Sequence, residues 1–433
     1  MQKFRSILIV SFFSICAILF FAACGYDYED GYEKEVAAAR NVLRPPELTR
    51  EQFLEDFDYL VYVLESGFPS FGIIYRTYGV DMLELAHEIR ETMIGDDFDI
   101  GYLQFWHVVQ NNFLRQANAR GHLWLESYVD WQRFGRFGSS ARTNVTYSYF
   151  GSRLEGNSHT HLMTLSTAGT HAARDSQYTR NILQDGKIAY IRVQSSLGNP
   201  PNDHQGILRL KREIDAFYGQ LYGFEHLIID IRNSAGGWPQ GFYASVIPPL
   251  LDEPLYFEVY YFHSATRYNR NNRAALSGQP PARPFDITDV YIFFEPGVLT
   301  EYVLNDLKNF DAVVTHTTRI KNCEDRRAPF SPKVWLLIGE RNFSGAQHVA
   351  SLMQQTGFAT LVGEQTSGGA VDVEAVSVFF ALPNTGFVVR YDPFYIIGAD
   401  DRPLEYGTVP HHFNRPGMDA LETVLALIAE GNY

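Results

Sequence analysis

Three short apolar runs in the second half of the chain constrain its fold more than any other feature. They are "KIAYIRV" (187–193), "HLIIDI" (226–231) and "KVWLLIG" (333–339), and each has the length of one buried strand. Residues 205–222 lie between the first two runs and place apolar side chains at alternating steps of three and four, as an amphipathic helix does. A strand, a helix and a strand in this order predict a parallel sheet covered by helices, that is, an α/β fold.

The N-terminal segment predicts export from the cytoplasm. Lys3 and Arg5 precede the run "SILIVSFFSICAILFFAA", and no further charge occurs before Asp27, which is the pattern of a secretory signal. The run ends in "FAAC" and resembles the lipobox of bacterial lipoproteins, in which the cysteine, here Cys24, receives the lipid; Phe21 stands where leucine is usual. An uncleaved membrane anchor is the alternative. Both interpretations predict an extracytoplasmic location in the bacterial cell envelope, and the first predicts lipid anchoring to a membrane surface.

Composition argues against several classes of protein. Of the 433 residues 45% are apolar, which suits a large folded core, and the net charge is −14 without a basic stripe, so nucleic-acid binding is not expected. With Cys16 in the signal and Cys24 lipidated, Cys323 alone remains, and no disulfide framework is predicted. The histidines of 159–171 lack carboxylates at ligating spacing, so no metal or other cofactor is predicted. The oligomeric state stays open.

The predicted organisation has five parts. Residues 1–23 form the signal peptide, 24–46 a charged, tyrosine-rich tether, and 47–122 a helical N-terminal unit. Residues 123–186 form a β-rich connecting segment, and 187–433 form the α/β core.

Ser344 stands between a predicted strand and a predicted helix in "KVWLLIGERNFSGAQHVASLM". The serine fits two roles: an N-cap that starts the helix, or a nucleophile whose hydroxyl is exposed above the sheet. The first backbone N–H groups of the helix have no intrahelical acceptor and can bind an oxyanion. The chain lacks a P-loop motif, an H-E-x-x-H motif and a dinucleotide-binding G-x-G-x-x-G, and Ser344 does not lie in G-x-S-x-G. The local pattern leaves both roles open.

Three motifs around this serine resemble those of the tail-specific, or C-terminal processing, serine peptidase family. They are "LIIDIRNSAGGW", "NFSGAQHVASLMQQTGFATLVGEQTSGGA" and "RPLEYGTVPHH", in that order, and the resemblance covers about residues 187–425. It implies that Ser344 is the nucleophile, and it implies a crotonase- and ClpP-like α/β core with a small N-terminal helical unit. Asp230 and Arg232, in the first motif, look like a structural pair that shapes the glycine loop.

The resemblance also indicates which base serves the serine. One branch of the family uses a lysine, but Gly369 occupies that position here. The other branch, similar to the core peptidase of tricorn, uses a histidine and a late glutamate. The segment "ANARGHLWL" then implies His122 as general base, and "DDRPLEYGTVPHH" implies Glu405 as the acid that orients it. Without the resemblance, His122 would be an ordinary structural histidine and Glu405 a surface carboxylate.

The same resemblance implies an oxyanion hole made of Gly236, Gly237 and Gly345, whose backbone N–H groups would bind the developing negative charge. The segment between His122 and residue 187 is short for the PDZ module that many family members insert, so no PDZ domain is expected.

Four residues depart from the family pattern. Arg120 replaces an aspartate, Gly121 an accessory serine, Gln347 a glutamate and His411 an aspartate. The prediction is a serine peptidase that hydrolyses a peptide or protein through an acyl-enzyme on Ser344. The alternative is a catalytically inactive protein of the same fold that binds a peptide or an apolar ligand.

Overall fold

A computed structural model describes residues 48–95, 98, 100–126, 178–193, 197, 203–264, 266, 269, 283–369, 377–398 and 400–431. The predicted signal peptide, the whole tether and most of the connecting segment, where a PDZ module would lie, are outside the described residues. Two compact units divide the chain: the larger comprises 50–125, 174–385 and 389–433, and the smaller comprises 1–49, 126–173 and 386–388. Among the described residues, no helix is both long enough and apolar enough to cross a bilayer.

Helices and strands alternate through the second half of the chain, as the apolar pattern predicts. The α-helices are α1 (Arg50–Gly67), α2 (Phe71–Tyr78), α3 (Met82–Ile94), α4 (Tyr102–His107), α5 (His204–Tyr218), α6 (Gln240–Ser245), α7 (Glu301–Leu307), α8 (Gly345–Gln355) and α9 (Ala420–Glu430). The strands are β1 (Trp124–Leu125), β2 (Tyr178–Gln184), β3 (Ile188–Val193), β4 (His226–Asp230), β5 (Leu255–His263), β6 (Arg283–Pro284), β7 (Ala312–Ile320), β8 (Lys333–Ile338), β9 (Thr360–Gly363), β10 (Val378–Ala381), β11 (Val388–Tyr391), β12 (Phe394–Gly398) and β13 (His412–Phe413).

The central sheet has six strands in the order β13-β9-β8-β4-β3-β2. Strands β3, β4, β8, β9 and β13 run parallel, and β2 is an antiparallel edge strand. The three apolar runs form β3, β4 and β8, so the α/β prediction is confirmed.

Helices cover both faces of this sheet, which explains why its strands are almost continuously apolar. On one face Leu227 and Ile229 of β4 join a core that includes Ile214 of α5 and Val349 of α8. On the other face Ile228 joins residues of α9. All five residues of β4 are buried. Successive strand residues therefore point into two different cores, and a single polar substitution in β4 would disturb one of them.

The remaining strands form two further sheets. Strands β12, β5, β7 and β6 form one sheet, in which β5 pairs with β7 over nine residues. Its phenylalanine-rich core also contains apolar residues of α7. Strands β1, β11 and β10 form the other sheet.

The helical N-terminal segment α1–α4 ends in turns that lead to His122. A π-helical segment (Val108–Phe113) and a 3₁₀ turn (Leu114–Ala117) follow α4 directly. The buried carboxylate of Asp56 in α1 accepts the backbone N–H groups of Asn384 and Thr385, both at 2.7 Å. These bonds join the first helix to the loop between β10 and β11.

Candidate active site

The carboxyl ends of three parallel strands supply one cluster of loops. The glycine loop follows β4, Ser344 follows β8, and the segment 364–369 follows β9. Ligands of open α/β sheets bind at this edge, because neighbouring loops there can converge on one point.

Ser344 adopts a conformation that few residues other than glycine adopt, with φ 55° and ψ −124°. Its side chain does not cap α8. Instead, the hydroxyl Oγ lies 3.0 Å from Nε2 of His122. The N-cap interpretation is therefore not supported: Ser344 occupies the cap position of the backbone, but its hydroxyl is directed to the imidazole. Such backbone strain is typical of functional turns.

Asn342 holds the turn that carries Ser344. Its side-chain amide donates to the carbonyl oxygens of Ile231 at 2.5 Å and Ser234 at 2.9 Å, and its Oδ1 accepts the N–H of Gly339 at 2.9 Å. The side chain is completely buried. Asn342 thereby ties the nucleophile turn to the glycine loop, a role that the sequence patterns did not reveal.

His122 lies in a short left-handed turn. Gly121 has φ 55° and His122 has φ 46°. A Cβ on Gly121 would lie 2.5 Å from the ring of Phe68, so a serine does not fit at this position. The imidazole is almost fully buried and packs between aromatic rings, with centroids 4.7 Å from Phe343 and 5.2 Å from Trp124. These contacts fix the ring that faces Ser344.

The partner of the second imidazole nitrogen is Asp392, and not the predicted Glu405. His122 Nδ1 lies 2.6 Å from Asp392 Oδ2, and the backbone N–H of Asp392 donates to Gly121 O at 2.7 Å. Asp392 follows β11, which pairs with β1 directly after the histidine turn. This geometry corrects the orienting role assigned to Glu405: the strand pairing brings Asp392 to His122 across 270 residues of sequence.

Asp392 is buried but held in its ionised form. Burial raises the pKa of its carboxyl group, yet the charge of His122, the charge of Arg390 and the hydroxyl of Ser377 outweigh burial, so the pKa lies below its usual value. Ser377 Oγ donates to Asp392 Oδ1 at 2.6 Å. An ionised carboxylate on Nδ1 favours the tautomer in which Nε2 can accept the proton of Ser344.

Glu405 lies nearby in a different role. Its Oε2 accepts the backbone N–H of Gly121 at 3.4 Å, and the N–H of Gly369 is a further donor to the carboxyl group. Burial raises its pKa to about 7, and the charge of Asp392 adds to this, whereas the charge of Arg120 opposes it. Glu405 thus joins the turn of His122 to the turn of Gly369.

The three predicted oxyanion-hole glycines lie together beside Ser344. A Cβ on Gly236 would lie 2.9 Å from the Cβ of Ser344, and one on Gly345 would lie 2.1 Å from the carbonyl oxygen of Gly237. Gly236 and Gly237 have φ of 113° and 95°. Only glycine allows this close approach of the backbones. The role of their N–H groups stays a prediction. Asp230 and Arg232 pair as predicted, at 2.8 Å, at the start of the loop.

Phe343 occupies the space beside Gly369, where the other branch of the family has its lysine. A Cβ on Gly369 would lie 2.0 Å from the Phe343 ring, and the residue has φ 68°. A lysine would therefore require this turn to rearrange.

The remaining departures from the family pattern have structural roles. Gln347 binds Thr408 Oγ1 at 2.9 Å and accepts the Thr366 hydroxyl, within a buried network. His411 Nδ1 accepts the N–H of Leu361 at 2.9 Å. Arg120 is buried, with its guanidinium 5.3 Å from the ring centroid of Tyr78. These residues support the site without removing Ser344, His122 or Asp392.

In the part of the chain that the structure describes, no three His, Cys, Asp or Glu side chains form a group suited to hold a metal ion. The arrangement is that of a serine nucleophile, a histidine base and an orienting carboxylate, which suits acyl transfer.

Comparison with known proteins bears on the fold and on the family. Solved structures share the fold: a candidate peptidase from Parabacteroides merdae ATCC 43184 has a TM-score of 0.51 at 15% identity, with 87% of this chain and 96% of that chain covered. Mature CPAF has a TM-score of 0.50 at 12% identity, with 84% and 92% covered. No curated protein matches the chain. Residues 187–412, slightly more than half of the chain, match the model of peptidase family S41. The chain therefore belongs to peptidase family S41, as the three motifs predicted.

Proposed function

We propose that the protein is a serine peptidase that hydrolyses peptide bonds through an acyl-enzyme on Ser344. The observation that carries the proposal is the hydrogen-bonded series from Ser344 Oγ to His122 Nε2 at 3.0 Å and from His122 Nδ1 to Asp392 at 2.6 Å. In this proposal Asp392 takes the orienting role, and Glu405 supports the two turns.

The proposal assigns a group to each step. His122 Nε2 takes the hydroxyl proton as Ser344 Oγ attacks the peptide carbonyl carbon. The N–H groups of Gly345 and the glycine loop bind the resulting oxyanion. Protonated His122 then gives its proton to the leaving amine, and the C–N bond breaks. Water, deprotonated by His122, hydrolyses the ester and releases the second product.

A fluorophosphonate probe tests the nucleophile directly, because it phosphonylates an activated serine and leaves a stable adduct. We expect the wild type to be labelled on Ser344 and Ser344→Ala to be unlabelled. Ser351→Ala, which changes another serine of the same region in α8, is the matched control and should label like the wild type. An unlabelled wild type, or equal labelling of Ser344→Ala, would favour the inactive ligand-binding alternative.

We also propose that Cys24 carries a lipid that attaches the protein to a membrane surface in the bacterial cell envelope. The support is the sequence pattern of 1–24, and two acyl chains or more give stable anchoring. Metabolic labelling with a fatty-acid analogue should mark the wild type and Cys16→Ser, but not Cys24→Ser. Unchanged labelling and membrane recovery of Cys24→Ser would contradict the proposal.

A further inference from the structure

We propose that Ser377 and Arg390 are positioning residues that set the proton affinity of the Asp392–His122 pair. For its catalytic consequence this inference rests on the proposed function. Neither residue lies in the three sequence motifs that resemble the family. The hydrogen-bond partner of the Ser344 hydroxyl is His122.

A polar path leads from Arg390 to the imidazole. Arg390 Nε donates to Ser377 Oγ at 2.9 Å, and Ser377 Oγ donates in turn to Asp392 Oδ1 at 2.6 Å. The other carboxylate oxygen, Oδ2, contacts His122 Nδ1 at 2.6 Å. Ser377 and Asp392 are 5% and 3% exposed, so little water competes for these bonds.

The polar path fixes the direction of the Ser377 hydroxyl. Because the Arg390 guanidinium only donates, the serine oxygen accepts from it and must direct its single proton elsewhere. Among the described residues, the carboxylate of Asp392 accepts that proton at 2.6 Å. The hydroxyl thus stabilises the ionised carboxylate, and the arginine excludes the opposite orientation of that hydroxyl.

A second path between Arg390 and His122 runs through an aromatic ring. Arg390 and Trp124 are directly opposed in the pairing of β11 with β1, and the guanidinium lies 4.9 Å from the Trp124 ring centroid. The Trp124 ring lies 5.2 Å from the ring of His122. Arg390 therefore supports both the Asp392 carboxylate and the Trp124 ring that packs beside His122.

Charged groups act on each of the two neighbouring carboxyl groups. His122, from the turn before β1, and Arg390, from β11, act on Asp392. Arg120, also from that turn, and Asp392 itself act on Glu405. The positive charge of Arg390 and the hydroxyl of Ser377 both favour the state in which Asp392 is ionised and His122 is neutral. Removing either one should therefore make the pair take up its proton at higher pH.

The direct test measures that proton uptake and does not need activity. Ring-¹⁵N histidine labelling follows the titration of His122 by NMR in the Ser344→Ala background, with His122→Gln to assign the signal. We expect the midpoint to rise by about half a pH unit in Ser377→Ala and about one unit in Arg390→Met. Ser377→Thr and Arg390→Lys keep the hydroxyl and the charge and should stay near the reference.

Two controls separate this effect from a general loss of structure. Arg415→Met removes an arginine whose partner is Glu430 on α9, and Ser351→Ala removes a hydroxyl on α8; neither should move the midpoint. Midpoints of Ser377→Ala and Arg390→Met that equal the reference would overturn the inference. So would an equal rise in Ser377→Thr and Ser377→Ala.

The catalytic consequence is measured in proteins that retain Ser344, as the rate of fluorophosphonate labelling at a series of pH values. In Ser377→Ala the acidic limb of this pH–rate profile should move to higher pH by the shift that NMR finds. In Ser377→Thr the limb should return to its position in the wild type. A purely structural role would lower the rate at every pH without moving the limb. Absence of labelling in the wild type would contradict the proposed function, whereas the NMR midpoints would still decide the role of Ser377 and Arg390.

Discussion

Two buried carboxyl groups near His122 differ in their surroundings. Asp392 is bonded to His122 and Ser377 and has a lowered pKa, whereas Glu405 is bonded to backbone N–H groups and has a pKa of about 7. A carboxylate that orients an imidazole must be ionised when the base accepts its proton. Near neutral pH the lowered pKa of Asp392 meets this condition, whereas the raised pKa of Glu405 works against it.

Replacing each carboxylate by its amide distinguishes the two. Asp392→Asn should slow labelling of Ser344 by about 10³- to 10⁴-fold, because an amide favours the wrong imidazole tautomer. Glu405→Gln should slow it by less than about tenfold, since the amide oxygen can still accept the N–H of Gly121. The labelling rate at pH 8 is the measurement. A larger loss in Glu405→Gln than in Asp392→Asn would show that Glu405, the acid predicted from the family pattern, takes the orienting role.

Glu405 also makes stability depend on pH. Its folded-state pKa of about 7 is raised above the ordinary 4.5, so folding favours the protonated form. This contribution is fully present below pH 4.5 and is lost as the pH rises through 7. Glu405→Gln should therefore gain stability relative to the wild type as pH rises from 4.5 to 8, by up to about 3 kcal/mol. Urea unfolding at several pH values measures the difference, and a constant difference would contradict it.

The family motifs pointed to Ser344 and His122, whose side chains lie 3.0 Å apart in the structure. They did not point to Asp392, since "YDPF" carries no motif and the residue reaches His122 through the pairing of β1 with β11. The family pattern pointed to Glu405 instead, which does lie at the site but binds the backbone of Gly121. Short motifs therefore pointed to the proposed nucleophile and base, while the pairing of β1 with β11 brings Asp392 to His122.

Among the elements, the turn after β9 contacts both Ser344 and the aromatic ring that packs on His122. Gly368 O accepts the N–H of Ser344 at 3.3 Å, and Gly369 packs against Phe343. Phe343 in turn packs on His122. The glycine that replaces the family lysine thus makes room for the aromatic ring that holds the histidine.

Gly369→Ala tests this packing against a matched glycine. Gly357 has nearly the same φ, 65° against 68°, but a Cβ there would meet nothing within 4 Å. Gly357→Ala should cost about 1 kcal/mol of unfolding free energy from backbone strain alone. Gly369→Ala should cost about 2 kcal/mol more, because the methyl group collides with Phe343. Equal losses in urea unfolding would show that the contact with Phe343 adds no cost.

Strands of the parallel sheet were easier to predict than those of the four-stranded sheet. Strands β3, β4 and β8 are buried on both faces and read as continuous apolar runs, and the repeat of α5 is clear. Strands β5, β7 and β12 instead pair antiparallel over long separations, and β7 mixes buried and exposed residues. Their pairing depends on contacts that no short window of sequence contains.

At the scale of the whole molecule, an ion pair joins the N-terminal helices to the rest of the larger unit. Arg76 of α2 binds Asp306 of α7 and donates to the Tyr406 hydroxyl at 2.7 Å. Tyr395 also donates to Asp306, at 3.0 Å. Since Tyr406 adjoins Glu405, this network connects the helical segment to the turn that supports His122.

Arg76→Met should therefore destabilise the whole unit. The side chains of Arg76 and Asp306 are only 22% and 14% exposed, so removing one charge leaves the other partly buried without its partner, at a cost of about 3 kcal/mol. Arg90→Met is the matched control: its pair with Asp58 is 38% and 47% exposed, and the loss should be about 0.5 kcal/mol or less. The free energy of urea unfolding measures both, and similar losses would contradict a special role for Arg76.

The central claim is that Ser344 cleaves peptide bonds, and digestion of a complex peptide library with mass-spectrometric reading of new termini tests it most directly. The wild type should generate new termini and a transient acyl adduct on Ser344, with Ser351→Ala behaving alike. Ser344→Ala should generate neither, and Asp392→Asn should generate new termini far more slowly. A wild type that yields no new termini and no adduct, or a Ser344→Ala variant that cleaves as fast as the wild type, would contradict the account.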